Sequence, residues 1–307
     1  MSPALHLVLT AAPGSDALTE EIVGAVAAAV PGLSGARWLA VREAWEASLA
    51  VPLADIDATA ARSAAERASG ARPVDINLVR ADDTRRHKRL LCADMESTII
   101  AEEMLDEMAD LVGCRAEIAA ITAAAMRGEL DFEASLRRRV ALFDGVELGK
   151  VAALGERVTL MPGAETLVRT LAANGARTAL VTGGFTLFAA PVAERLGFDS
   201  VTANMLEIEN GRLTGRVVPP VVSPEGKADT LVRLTRELGL APDDTLAVGD
   251  GANDAMMLRA AGLGVAFHAK PILATQARMA ANGAVVQHGD LTALLHLQGY
   301  RSADLVK

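Results

Sequence analysis

The chain has 307 residues, 51% of them hydrophobic and 22% charged, with a formal net charge of −9. That balance supports a sizeable core and argues against a disordered chain. The acidic surplus argues against a nucleic-acid surface, which needs clustered Lys and Arg. Aromatic residues supply only 3% of the chain, so the apolar interior is built mostly from Ala and Leu, which favours helices packed closely on a sheet. No uncharged apolar run approaches the roughly 18 residues of a membrane span, and no basic segment followed by an apolar stretch opens the chain. The expectation is a cytoplasmic soluble protein with no membrane and no nucleic-acid partner. The two cysteines, Cys92 and Cys114, make neither a metal spacing nor a disulfide framework.

In chain order, LHLVLT (5–10) reads as a strand. Residues 16–30 read as a helix, with Leu18, Ile22, Val23, Val26 and Val30 on one face and Pro31-Gly32 as the stop. ARWLAV (36–41) and ASLAVP (47–52) look like a strand pair, 55–68 a second helix, and PVDINLV (73–79) a last strand. The order β-α-β-β-α-β within residues 1–80 fits an α+β ferredoxin-like sandwich. Nothing in it clusters catalytic side chains, so it reads as a regulatory or assembly module. Residues 81–89, with the basic run Arg85-Arg86-His87-Lys88-Arg89, are expected to be a solvated linker.

From residue 90 strands alternate with helices, the pattern of an α/β fold on a mostly parallel Rossmann-like sheet. Strand candidates are 90–93, 177–182, 244–249, 263–267 and 284–286. Residues 101–165 carry too much helical periodicity for one crossover and are expected to form a helical insertion over the C-terminal edge of the sheet, where ligands bind in such folds. The segment 204–222 holds an Asn-Gly pair between two strand-like runs, a hairpin signal.

Four places at or near predicted strand ends carry candidate chemistry. Asp94-Met95-Glu96-Ser97-Thr98 follows LLCA. An aspartate there is ionised at neutral pH and can attack an electrophile directly, although a helix N-cap would look the same. Thr182-Gly183-Gly184-Phe185 offers a hydroxyl and bare amides as an anion nest; an ordinary glycine turn is its plain alternative. Lys227, at the start of a predicted helix, could offset phosphate charge, though a lone lysine means little. Gly249-Asp250-Gly251-Ala252-Asn253-Asp254 places two acids four residues apart on a glycine-rich turn, which suits an oxygen-ligated divalent ion. Their common position on one sheet edge makes the joint reading phosphoryl transfer.

DMEST, TGGF, Lys227 and GDGANDAMML together resemble the four motifs of the haloacid dehalogenase superfamily of phosphatases. More narrowly, AMRGELDFEASLRRRV (125–140) in the helical insertion resembles the cap of the phosphoserine phosphatase family, and the similarity covers roughly residues 90–295. The N-terminal segment is similar in architecture to the ACT-like domains some of these enzymes carry. The resemblance implies hydrolysis of O-phospho-L-serine to L-serine and phosphate in serine biosynthesis. In that reading Asp94 is the nucleophile and Glu96 the general acid–base. Mg2+ is held by Asp94, the Glu96 carbonyl and Asp250, with Asp254 supporting them. Thr182, Gly183 and Lys227 grip the phosphate and Asn253 helps position it. Glu103 and Arg139 read the amino and carboxylate groups of serine, while Met126 and Phe132 line the apolar side of the cap. Self-association through the N-terminal module is a further expectation.

Without the resemblance, Arg139 in the run Arg137-Arg138-Arg139 reads as a solvated helix face, and Glu103 in its Glu-Glu pair as surface. Thr182 stands where serine is common, keeping the hydroxyl. Glu96 replaces the usual second aspartate and carries its carboxylate one methylene, roughly 1.5 Å, further out. Two alternatives remain open. One is phosphatase or phosphotransferase chemistry on another small phosphomonoester; the other is a catalytically weakened protein that senses an amino acid.

Overall fold

The structure, a computed structural model, describes residues 4–49, 57–81 and 86–307. The side chains of residues 4, 81 and 126 lie outside this description, as do Arg85 and the predicted strand and helix ends at 50–52 and 55–56. The described residues form two sheets with their helices.

The first sheet holds β1 (Ala4–Ala11), β2 (Leu33–Ala40), β3 (Ala44–Leu49) and β4 (Val74–Ala81) in the order β2-β3-β1-β4. Its pairings are antiparallel. With α1 (Glu20–Ala29) and α2 (Ala58–Ser69) between the strands, this is the ferredoxin-like order read from the sequence. Local chemistry sets the helix starts. Thr19 Oγ1 accepts the Ile22 amide, and Asp57 Oδ1 accepts those of Thr59 and Ala60. Helix α1 lays Ile22, Val23 and Val26 on the inner face of the sheet, against Leu7, Leu9 and Ala47.

The second sheet has seven strands: β5 (Leu90–Ala93), β6 (Arg177–Phe185), β7 (Ser200–Glu209), β8 (Arg212–Val218), β9 (Thr245–Gly249), β10 (Leu263–Phe267) and β11 (Gly283–Val286). The order is β11-β10-β9-β5-β6-β7-β8, and only β8 runs antiparallel, closing the hairpin that Asn210-Gly211 turns. Helices α7 (Ala164–Ala173), α8 (Thr186–Leu196), α9 (Pro224–Glu237), α10 (Ala255–Ala260), α11 (Pro271–Met279) and α12 (Ala293–Leu297) complete this α/β layer.

The insertion consists of α3 (Met104–Val112), α4 (Arg115–Met126), α5 (Phe132–Ala141) and α6 (Leu148–Gly155). Its two ends are tied together where they leave the sheet: Ala101 N donates to Thr159 O, and Met161 N to Ile99 O, both at 2.9 Å. The β7–β8 hairpin supports it from the far side, through Gly145 N to Leu213 O at 2.8 Å and Leu148 N to Gly211 O at 2.9 Å.

The two sheets meet where β4 faces β11, the open edge of the larger sheet. Asn77 bonds Val285 in both directions, at 2.9 Å and 2.8 Å. Asp75 accepts the amides of Gln287, His288 and Gly289. The basic run between the sheets departs from expectation at two of its described residues, while His87 and Arg89 are exposed. Arg86 and Lys88 are buried; Arg86 pairs with buried Glu46, and Lys88 Nζ donates to Asp243 O at 2.7 Å. Both cations are taken up by acceptors on neighbouring elements, which makes their burial tolerable.

Candidate active site

The register of β5 builds the site. Ala93 lies opposite Leu180 of β6 and opposite Val248 of β9, so Asp94 emerges between the ends of both neighbours. Its amide donates to Val248 O at 3.0 Å and holds it in line with the ladder. Ser223 Oγ accepts the Gly226 amide and Pro224 occupies the first turn, which starts α9 and puts Lys227 at its head. Lys227 Nζ donates to Asp94 Oδ1 and to Asp254 Oδ1, each at 2.7 Å, and all three side chains are buried. The Gly251 amide donates to the other Asp254 oxygen at 3.1 Å. A methyl group on Gly249 would overlap the Asp254 carboxylate, so this glycine is required by close approach.

Asp94, Asp250 and Asp254 present carboxylate oxygens that lie within 4.8 Å of one another. This all-oxygen donor set fits a hard divalent cation. Burial, with Asp254 adding to it, pushes the Asp94 carboxyl well above its ordinary value, while Lys227 opposes the rise. Burial likewise raises Asp250, where Lys270 opposes it from 3.4 Å. Burial works against the Lys227 ammonium, yet Asp254 and Asp94 outweigh it and hold its pKa up. Two buried acids sharing one lysine remain short of positive charge, which a cation would supply.

Beside this cluster, Glu96 Oε1 accepts the Met104 amide of α3 at 3.0 Å. Burial pushes Glu96 up to about 7, with Glu103 adding to the rise, while the Met104 amide, Lys227 and Arg139 hold it back. Glu103 is bonded by Ser97 Oγ at 2.8 Å; burial raises it, Ser97 opposes, and Asp250 adds to the rise. Ser97 itself takes a left-handed backbone, φ 55°, a cost that residues at functional loops often carry. Arg139 does not behave like its neighbours in the arginine run. Arg137 pairs with Glu133 at 2.7 Å on the exposed face. Arg139 instead loses basicity to burial and is drawn back by the charges of Glu96, Asp106 and Glu103.

Of the remaining expected residues, Thr182, Gly183, Phe132 and Asn253 have described contacts. Thr182 is buried, and its Oγ1 accepts the Gly184 amide at 2.9 Å. Gly183 lies against Phe132, whose ring edge would be 3.5 Å from a methyl placed there. Asn253 adjoins Asp254, its Nδ2 at 3.5 Å from Oδ1. The side chain of Met126 lies outside the described residues. Two contributors were not singled out from the sequence. Buried Asn204 donates to Gly183 O at 2.7 Å and accepts the Val222 amide at 2.8 Å, fixing the glycine turn from β7. Lys270 bonds the Asp250 carbonyl through its amide at 3.0 Å and faces the Asp250 carboxylate. No spacing signal marks Asn204, because its partners come from distant segments.

Comparison with known proteins agrees with this geometry. The family model of haloacid dehalogenase-like hydrolases matches residues 91–259. A phosphoserine phosphatase of Streptomyces coelicolor is 48% identical over 221 residues, covering 72% of this chain and 54% of the relative, so the chain spans about half the length of that curated protein. A phosphoserine phosphatase of Idiomarina loihiensis is 47% identical over 184 residues, 60% of this chain and 84% of the relative. The crystal structure of a HAD family hydrolase from Salmonella enterica serovar Typhi superposes with a TM-score of 0.81 at 28% identity, covering 97% of this chain and 98% of that one. With its aspartate, lysine and paired acids at the ends of one parallel sheet and a helical insertion above them, this chain belongs to the haloacid dehalogenase-like hydrolase family.

Proposed function

We propose that this protein is a magnesium-dependent phosphoserine phosphatase that converts O-phospho-L-serine and water to L-serine and phosphate. The observation that carries the substrate is the placement of Arg139 and Glu103. Both lie within electrostatic reach of Glu96. A guanidinium for the carboxylate and an acid for the ammonium give a zwitterion two poles that a plain phosphate ester lacks. Phe132, against Gly183, supplies apolar surface for the short side chain.

In the first step an Asp94 oxygen attacks phosphorus and the bond from phosphorus to the seryl oxygen breaks. Glu96 in its acid form gives its proton to that oxygen, so serine leaves neutral at the hydroxyl. In the second step Glu96, now a carboxylate, takes a proton from water as the water oxygen attacks phosphorus. The bond to Asp94 breaks, phosphate leaves, and Glu96 is again an acid. A pKa of about 7 makes both forms of Glu96 available near neutral pH. Lys227, Thr182 and the Gly183 amide balance and orient the phosphoryl oxygens, with Asn253 beside them. Asp94 and Asp250, with the Glu96 carbonyl and support from Asp254, would hold Mg2+, which neutralises phosphoryl charge when bound.

Residues 1–80 are in this reading an ACT-like regulatory or assembly module through which the chain would self-associate, and residues 90–307 the phosphatase, acting in the cytoplasm at the end of serine synthesis. The test is phosphate release from a series of phosphorylated amino acids with and without Mg2+. Phosphoserine turnover that needs the metal is expected. Arg139→Ala should lose phosphoserine turnover by about a hundredfold or more, as for a lost charge-assisted contact, while keeping hydrolysis of an aryl phosphate. Equal loss on both substrates would remove the amino-acid reading; no turnover of either by wild type would remove the phosphatase.

A further inference from the structure

Glu96 carries one methylene more than the aspartate usual in the resembling enzymes, and two features receive the extra length. The first is Gly184. A methyl group built there would find three atoms of the Glu96 carboxyl group as its nearest neighbours: Oε2 at 2.7 Å, Cδ at 3.0 Å and Oε1 at 3.1 Å. The second is the start of α3. Its N-cap residue, Glu103, makes no side-chain cap bond, and the Met104 amide is instead taken by Glu96 Oε1 at 3.0 Å. An anion at a helix N-terminus is stabilised by free amides and by the helix dipole. Gly184 is fixed in turn, because its amide donates to Thr182 Oγ1 at 2.9 Å and this end of β6 is buried. The long acid therefore lies in a slot with a bare glycine on one side and a helix amide on the other.

We infer that Gly184 and the first amide of α3 form a seat matched to glutamate at position 96, which makes Gly184 a positioning residue for the acid–base step. The inference rests on the phosphatase reading above. A side chain at 184 displaces the Glu96 carboxylate from the leaving oxygen; the carboxylate of an aspartate, drawn back by a methylene, leaves that space free. Residues 96 and 184 are thereby coupled, and the effect of one change depends on the other.

The experiment is a double-mutant cycle over wild type, Glu96→Asp, Gly184→Ala and the pair, measuring kcat, KM for phosphoserine and thermal unfolding for each. Displacement by about 1 Å costs on the order of a hundredfold in rate. Gly184→Ala is therefore expected to lower kcat about a hundredfold with KM changed by less than about threefold. In the Glu96→Asp background the same change should cost less than about tenfold. Unfolding should show the same coupling, with Gly184→Ala more damaging beside Glu96 than beside aspartate. That readout requires no activity, and a folded, active double variant excludes general misfolding. Additive kcat losses in an active wild type overturn the positioning role alone. A wild type without turnover overturns the phosphatase reading and the positioning role together, even where the unfolding data remain coupled.

Discussion

Asp75→Asn should loosen the joint between the two sheets without touching the acidic cluster around Lys227. The Asp75 carboxylate is buried and accepts Gln287 N at Oδ1, 2.8 Å, Gly289 N at Oδ2, 2.8 Å, and His288 N at 3.2 Å and 3.0 Å from the two oxygens. With Asn77 bonding Val285 of the edge strand β11 beside it, β4 uses two side chains to satisfy amides of that strand and of the segment that leaves it. Asparagine keeps one acceptor oxygen and turns an NH2 group toward the other donors, so one or two of the three amides lose their partner. Hydrogen bonds to a charged group contribute about 1.5–3 kcal/mol each, which puts the expected loss at roughly 1.5–6 kcal/mol. Both tryptophans, Trp38 and Trp45, lie in the first sheet. Fluorescence in urea therefore follows that sheet alone, while far-ultraviolet circular dichroism follows the whole chain. Wild type should give coincident transitions, and Asp75→Asn should move the fluorescence transition to lower urea and apart from the other. Coincident curves with a shift below about 0.5 kcal/mol, within the range of an ordinary surface change, would refute the edge-sealing role.

Lys227→Met keeps most of the side-chain volume but leaves Asp94 and Asp254 without the ammonium both now contact. Breaking a buried pair in this way costs about 3–5 kcal/mol. In thermal unfolding without divalent ions the variant should fall well below wild type, and added Mg2+ should stabilise it more than it stabilises wild type. Burial pushes the Cys92 thiol up to about 12 from an ordinary 9.0, so the folded chain resists forming that thiolate. At pH 8 a disulfide-exchange reagent should label Cys114 in native protein, slowly because burial raises it too, and label both thiols in urea. The folded pKa is raised above the unfolded one, so this contribution to stability is complete below about pH 9 and is lost as pH rises toward 12. Alkaline unfolding data for Cys92→Ala against wild type check the sign.

The strand ends were legible because their chemistry is local. A short apolar run that stops at Asp94 or at Asp250 announces both the strand and the polar group at its end, and Asn210-Gly211 announces its hairpin; β6 instead runs on past Thr182 through the glycine pair to Phe185. The burial of Arg86 and Lys88 in the basic run was not legible, for the opposite reason. A charge run reads as solvated unless its acceptors are known, and those of Arg86 and Lys88, Glu46 and Asp243, lie far along the chain. Arg139 is intermediate: its spacing on α5 is visible, but which arginine of three turns inward depends on where α5 lies over the sheet. Likewise Asn204 shows no local signal, and the glycine pair announces bare amides but not that Gly184 meets Glu96, since each contact is with a partner brought from elsewhere.

Residue order alone thus determined the α/β class, the ferredoxin-like order of the first segment and the candidate polar groups at the strand ends, because periodicity, turns and strand termini are properties of short windows. Only the tertiary structure decided how those groups face one another. It seated the long acid at Glu96 between Gly184 and the head of α3, placed Lys227 between Asp94 and Asp254, and pressed β4 onto β11, because each of these contacts joins segments that only folding brings within a few ångströms.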